Sequence, residues 1–303
     1  MMDGIARRLL FAPMERTEIL PSLRLVLRCA LAVLGAAALV AGGQPARAQG
    51  KLDAEYLVTL GGIPVGKGHW NIEIADDRFT ATATGATAGL LRWFASGNGT
   101  SSVRGKLVGG IPVLSDFDAK ITSNKKTQEF RLLVEGGDAK NVLITPPSPP
   151  NPENVPLTDA HRHGVTDPMT ASLVRVPGGS NIIGPGACGR TISVFDGRIR
   201  FDLQLTYKRV DQISAAKGYS GPAVVCALTF VPIAGHNPHR TAFKYLIKLR
   251  EMELSLAPIA GTRVLVPFRF TVPTPIGVGI MQATEFVATA EPAQTAAATA
   301  KNP

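Results

Sequence analysis

Histidine is the first residue type to test for chemistry. His161 and His163 flank Arg162. At i and i+2 of an extended segment two imidazoles share one face, which suits a pair of metal ligands. His236 and His239 form a second pair in Gly235-His236-Asn237-Pro238-His239, a sequence that reads as a loop. Neither pair has a carboxylate at a familiar metal spacing, and no H-E-x-x-H occurs. His161 and His163 are therefore the metal candidates, set against an expectation of no metal and no cofactor. No G-x-S-x-G nucleophile elbow occurs, and Ser193 has no base near it in sequence. Gly61-Gly62-Ile63-Pro64-Val65-Gly66 lies between two strand patterns with no helix behind it, so it reads as a hairpin turn and not as a phosphate cradle. No carboxylate pair sits in a context that suggests glycoside hydrolysis. The expectation is that the chain has no catalytic residue.

The cysteines point to a crosslink. Arg24 and Arg28 lead into the apolar run Cys29 to Ala41, followed by Gly42-Gly43-Gln44-Pro45 and Ala46-Arg47-Ala48. A charged stretch, a short apolar run and an A-x-A site predict a signal peptide over residues 1–48, cut after Ala48, and export to the periplasm. The apolar run falls short of the roughly 20 residues that cross a bilayer. No later stretch reaches that length, so no integral membrane span is expected beyond the leader. Cys29 leaves with the leader, and Cys188 and Cys226 remain as an even pair in an oxidising compartment. There is no C-x-x-C, and two thiolates are too few for a structural zinc site. The pair is expected to form a structural disulfide closing a loop of about 38 residues, worth ~3–4 kcal/mol in the chain-entropy model. The net charge is +9 and stays positive without the leader, but the Lys and Arg residues are scattered, with no run beyond it longer than the two of Lys125-Lys126. With no basic stripe and no interleaved aromatics, nucleic acid is not an expected partner.

The elements that must carry these residues follow from composition and period. Hydrophobic residues make up 45% of the 303 residues and charged residues 18%, enough apolar content to bury a core. The 31 glycines and 23 prolines argue against a helical bundle. Apolar residues alternate at period two: Trp70, Ile72, Ile74; Phe79, Ala81, Ala83; Phe117, Ala119, Ile121; every odd position from Ile199 to Leu205; Phe243, Tyr245, Ile247; Met252, Leu254, Leu256; and Val264, Val266, Phe268, Phe270. Turn signals separate them at Gly61-Gly62, Asp76-Asp77, Gly109-Gly110, Gly136-Gly137, Asp196-Gly197 and Gly261-Thr262. Short connections mean antiparallel pairing, and clean alternation means one dry face. The predicted fold is mainly β: about ten to twelve strands in a large curved antiparallel sheet or half-open barrel. Asp167 as N-cap and Pro168 at the first helical position predict one short helix near 168–174. One domain is expected over 49–289, its halves separated by the proline-rich loop 145–156, with a disordered tail over 290–303.

Several short motifs occur in a recognisable order. Tyr56-x-Val58-x-Leu60-x-Gly62-Ile63-Pro64-Val65-Gly66 opens the series, followed by Thr166-Asp167-Pro168-Met169-Thr170-Ala171. Next come Cys188-Gly189-Arg190-Thr191 through Val194-Phe195-Asp196-Gly197-Arg198. Tyr219-x-Gly221-Pro222-Ala223-x-Val225-Cys226 and Pro232-Ile233-Ala234-Gly235-His236 complete it. Over about 54 to 288 the chain resembles the bacterial envelope family called domain of unknown function 3108, in its alphaproteobacterial version with a cysteine pair. The resemblance carries over no catalytic residue. By fold analogy it implies a half-open barrel like that of the outer-membrane lipoprotein carriers, which hold acyl chains.

The expected function is that of an exported, non-catalytic protein. It binds a lipid or other apolar ligand on the concave face of the sheet, or supports the cell envelope. Trp70, Ile72, Phe201 and Leu203 are the expected lining residues. One alternative is a structural or interaction module with a closed core and an envelope protein as partner. Another is a hydrolase acting on envelope glycan or lipid.

Overall fold

The structure is a computed structural model that describes residues 49–89 and 97–291. The expected leader, with Cys29 and the Ala48 cleavage site, lies outside the described residues, as does the expected tail from residue 292 onward. Period-two patterning becomes strands almost everywhere it occurs. The first seven form a meander: β1 (Gly50–Leu60), β2 (Ile63–Ile74), β3 (Arg78–Thr87), β4 (Gly97–Val108), β5 (Ile111–Ser123), β6 (Lys126–Glu135) and β7 (Asp138–Thr145). After the proline-rich loop and a four-residue helix α1 (Pro168–Ala171) come β8 (Val174–Arg175), β9 (Arg190–Phe195), β10 (Arg200–Ser214), β11 (Lys217–Gly218) and β12 (Ser220–Ala234). Helix α2 (Thr241–Lys248) precedes β13 (Met252–Pro258), β14 (Val264–Thr274) and β15 (Gly277–Ala290).

The three Gly-Gly turns of the meander have positive φ at both residues. That is the backbone of a type I′ hairpin, whose twist matches the strands it joins. Asn124-Lys125 takes the same shape, with φ of 47° and 65°, so its turn carries no glycine signal. All these strands belong to one 15-stranded sheet, thirteen of them in the order β7-β6-β5-β4-β3-β2-β1-β15-β14-β13-β12-β10-β9, with β11 paired to β15 and β8 to β14 off this path. The pairings along this path are antiparallel, as expected.

The sheet curls until its two edges, β7 and β9, nearly meet. Residues 165–166 bridge the gap. Val165 N–H donates to Gly137 O at 2.7 Å, Thr166 N–H to Ser193 O at 2.9 Å, and Phe195 N–H to Thr166 O at 3.0 Å. Arg198, in the β9–β10 turn, adds a side-chain clasp: it donates to Gln128 Oε1 at 2.9 Å and stacks 4.6 Å over the Phe130 ring. The half-open barrel predicted from sequence is thus nearly closed.

Two cores result. The barrel interior holds Leu52, Ile72, Phe79, Val103, Phe117, Phe268 and Phe286, all buried. A second core holds Val176, Cys188, Leu205, Val224, Cys226, Met252, Leu256 and Leu265. Neighbours in sequence divide between them, Leu256 against Ala257 and Leu265 against Val266. Successive strand residues point to opposite faces, so this half of the sheet is dry on both sides and not on one only. Helix α2 corrects a further expectation. Phe243, Tyr245 and Ile247 read as a strand, yet the segment is helical. Phe243, Leu246 and Ile247 also fit the i, i+3, i+4 spacing of a helix face. The helix packs there against Phe230 and His236.

Cys188 and Cys226 are bonded, with 5.9 Å between their Cα atoms, and pin the segment before β9 to β12. Cys188→Ser is expected to lower unfolding free energy by ~2–4 kcal/mol. Thermal melts with and without reductant check this, and equal melting temperatures would refute the crosslink. On the outer surface Glu253 accepts two hydrogen bonds from the Arg209 guanidinium at 3.0 and 2.9 Å and one from Lys208. Arg209 above all, then Lys208, pushes the Glu253 carboxyl down to about 2. A carboxylate depressed by folding stabilises the fold above its unfolded pKa of roughly 4.3. That contribution fades as pH falls toward 2. Urea unfolding of wild type and Glu253→Gln between these limits should show the wild-type advantage shrinking with acid.

Candidate functional site

The register of β2 to β5 stacks inward-facing residues in rows across the meander. In one row Ile72 faces Ala81, Ala81 faces Val103 and Val103 faces Phe117. These are buried and fill the barrel. One row higher, Trp70, Ala83, Ser101 and Ala119 are in register, and above them Tyr56, Gly68, Gly85, Gly99 and Ile121. Side-chain volume therefore collapses over two successive rows. Packed interiors tolerate little unfilled space, and here the small residues leave a cavity of ≈ 880 Å³. The glycines do different work. A Cβ on Gly105 would run into the Phe79 ring, so that glycine makes room for a core side chain. A Cβ on Gly85 would meet only Lys67 O at 3.9 Å, and one on Gly99 only Lys120 O at 3.5 Å and Ile121 Cγ1 at 3.8 Å. Those two glycines make room for the cavity.

The remaining wall comes from three places. Met281 and Pro267 contribute from β15 and β14, Phe130 and Arg198 from the clasp at the seam, and Pro168, Met169 and Ser172 from α1 and its end. Helix α1 is held by Asp167, which is fully buried and accepts from Met169 N–H and Thr170 N–H, each at 2.9 Å. Asp196 Oδ1 accepts from Arg198 N–H and Ile199 N–H at 2.8 and 2.7 Å, shaping the turn that delivers Arg198. Burial pushes the Tyr56 hydroxyl well above its ordinary range. It stays protonated and donates to Pro267 O at 2.7 Å. Trp70 Nε1 is buried with no acceptor among the described residues. The wall is thus mostly apolar, with few polar groups.

Of the expected lining residues, Trp70 borders the cavity. Ile72 lies one row below, fully buried in its floor. Phe201 and Leu203 are elsewhere: Phe201 stacks on Phe230 at 5.2 Å and Leu203 packs on the second core. Their strand alternates as read, but its apolar face is turned to the opposite side of the sheet. Residues missed from sequence are Gly68, Gly85, Gly99, Met169, Arg198 and Met281. The signal for the first three was present as inward positions of β2, β3 and β4 too small to fill a core.

The histidines do not converge. His161 Nδ1 accepts from Thr158 N–H at 3.1 Å, whereas His163 Nδ1 pairs with Asp138 Oδ1 at 2.9 Å. His236 lies against Phe243, and burial lowers its pKa. Among the described residues no group of three or more His, Cys, Asp or Glu is placed to hold a metal ion. No helix among them is long and apolar enough to cross a membrane.

Comparison with known proteins places these features. The model of a family described as "Protein of unknown function (DUF3108)" matches residues 55–284. No curated protein matches the chain. Among solved structures, a beta-barrel-like protein of domain of unknown function DUF1849 from Brucella abortus is similar at 10% identity and a TM-score of 0.45, covering 80% of this chain and 99% of that one.

Because Asp167 holds α1 against the cavity, Asp167→Ala should cost about 1–2 kcal/mol, in the range of lost N-caps. Asp167→Asn, which keeps an acceptor oxygen, should recover most of it. Urea denaturation of the three proteins measures both. Equal losses in the two variants would mean that the side chain is not acting as a cap.

Proposed function

The chain belongs to the DUF3108 family, and from that premise we propose that its role is to bind an apolar ligand, such as a lipid acyl chain, within the barrel. The observation that carries this reading is the pair Gly85 and Gly99, in register on adjacent strands, whose missing side chains open a cavity of ≈ 880 Å³ above a tightly packed floor. Ligand sites run to about 300–1,000 Å³ with mostly apolar walls and few polar groups. A closed-core module has no use for Gly85 and Gly99, where a side chain would fit and none is present. We read the role as binding without catalysis, since the cavity wall holds one histidine, His69, which is engaged with Asp53 Oδ2 at 3.1 Å. We further read the protein as exported. The Cys188–Cys226 bond favours an oxidising compartment, and the leader-like pattern of residues 1–48 agrees.

Burial of about ten methylenes would contribute ~8 kcal/mol, before the cost of association. Affinity should therefore rise with chain length and begin weaker than micromolar. The test uses an apolar fluorescent probe together with native mass spectrometry of the purified protein. Gly85→Leu and Gly99→Val add side chains where only ordinary van der Waals contacts await the first carbon. Both should stay folded and lose probe binding at least tenfold. Equal binding by wild type and filled variants, or none by wild type, would overturn the reading.

A further inference from the structure

The cavity faces one end of the barrel, and that end has a distinctive surface. Four segments gather there: residues 60–67, 123–127, 241–248 and 274–279. Ile63 in β2 faces Leu60 in β1, which faces Gly279 in β15, so Ile63 and Val278 stand about two strand spacings apart, ~10 Å. Gly61 N–H donates to Val278 O at 3.0 Å and ties the two hairpins together. Gly66 faces Thr87 and Gly97 faces Ser123, which brings the β5–β6 turn to the same end. Helix α2 joins them through Tyr245, whose hydroxyl donates to Pro273 O beside the β14–β15 turn.

Three large apolar side chains are exposed on these tips: Ile63 by 55%, Ile276 by 75% and Val278 by 44%. Such residues standing together on hairpin tips call for a partner. The same four segments carry Lys67, Lys125, Lys126, Lys244 and Lys248 and no Asp or Glu, and Asp196 of the β9–β10 turn at this end is engaged by the Arg198 and Ile199 N–H groups. All five lysines are exposed. None has an ion pair among the described residues; of the other described lysines Lys51, Lys120, Lys140, Lys208 and Lys217 have one and Lys106 alone does not. The opposite end is different. It too exposes Val108 and Ile111. There, however, Asp76, Asp77, Glu135 and Asp138 mark the turns, and none of those turns borders the cavity.

We propose that the end of the barrel formed by Ile63, Ile276 and Val278 docks on an anionic lipid bilayer. The three apolar tips enter the headgroup layer, and the unpaired lysines neutralise lipid phosphates. An end that combines exposed apolar tips with unpaired cations is complementary to an anionic membrane surface, where burial and electrostatic attraction add. The proposal deepens the ligand-binding reading, because this end also bears the cavity mouth. A docked barrel would face the source or destination of its ligand.

The test is flotation of the purified chain with vesicles of phosphatidylcholine alone and of equimolar phosphatidylcholine and phosphatidylglycerol. The protein should float with the anionic vesicles, much less with the neutral ones, and less as salt shortens the screening length from about 10 Å at 0.1 M to about 3 Å at 1 M. K67Q/K125Q/K126Q should weaken partitioning about fivefold per lysine. I63S/I276S/V278S should weaken it about tenfold per side chain. Both alter exposed positions only, and unchanged thermal melts verify that they fold. Gly85→Leu should float like wild type while losing the apolar probe, which separates docking from cavity binding. Failure of wild type to float with anionic vesicles, or flotation indifferent to both triple variants, would overturn the docking surface.

Discussion

A sheet of fifteen strands has two edges, and unpaired backbone groups along an edge invite pairing with other chains. This barrel narrows the problem by curling until the turn that opens β7 and the edge of β9 share a bridging segment, with Val165 bonded to one side and Thr166 to the other. Much else follows from that closure. The bridge delivers Asp167, which caps α1. The cap fixes Pro168 and Met169 in the cavity wall. The neighbouring turn carries Arg198 across the seam onto Gln128 and Phe130. The wall opposite the glycine row is therefore built from the elements that seal the sheet.

Two cores share the work of holding this shape. The interior core fills the floor of the barrel with Ile72, Val103 and Phe117, so the cavity above it rests on rigid packing. The second core lies on the outer face of β12 to β14. It is covered by the segment around Val176 and Cys188, with the Cys188–Cys226 bond inside it. The cost of leaving the upper barrel unpacked, in lost dispersion contacts, is borne beside strands that are buried on both faces.

Most of the architecture was legible because period-two alternation and Gly-Gly turns are local signals. The meander and the N-cap at Asp167 came from residue types at short range, and the cysteine pair from there being two cysteines beyond the leader. The misreadings have a common origin in signals that need a third dimension. Phe243, Tyr245 and Ile247 satisfy a strand period, whereas Phe243, Leu246 and Ile247 satisfy a helical one. Only the placement of Phe230 and His236 decides between them. Phe201 and Leu203 alternate cleanly, but alternation does not say which face of a two-faced sheet a strand presents. The glycine row left only a weak signal, small residues at inward strand positions, for a related reason. Gly68, Gly85 and Gly99 stand far apart in sequence and become a feature only when two registers align them.

The pairing of Gly50 with Ala290 joins the first strand of the barrel to the last. Neighbouring hairpins of the meander can form as soon as their own residues exist, within microseconds. The outer edge of β1 has no mate until β15 has been synthesised, so the pairing that joins the two halves of the sheet spans nearly the whole described chain and is the most non-local one. Until then half the barrel is an open ribbon with a bare edge. A polypeptide delivered to its compartment unfolded, N-terminus first, would hold that edge uncovered throughout its passage. Folding is therefore coupled to completion of the whole chain, and a product truncated before β15 could not close.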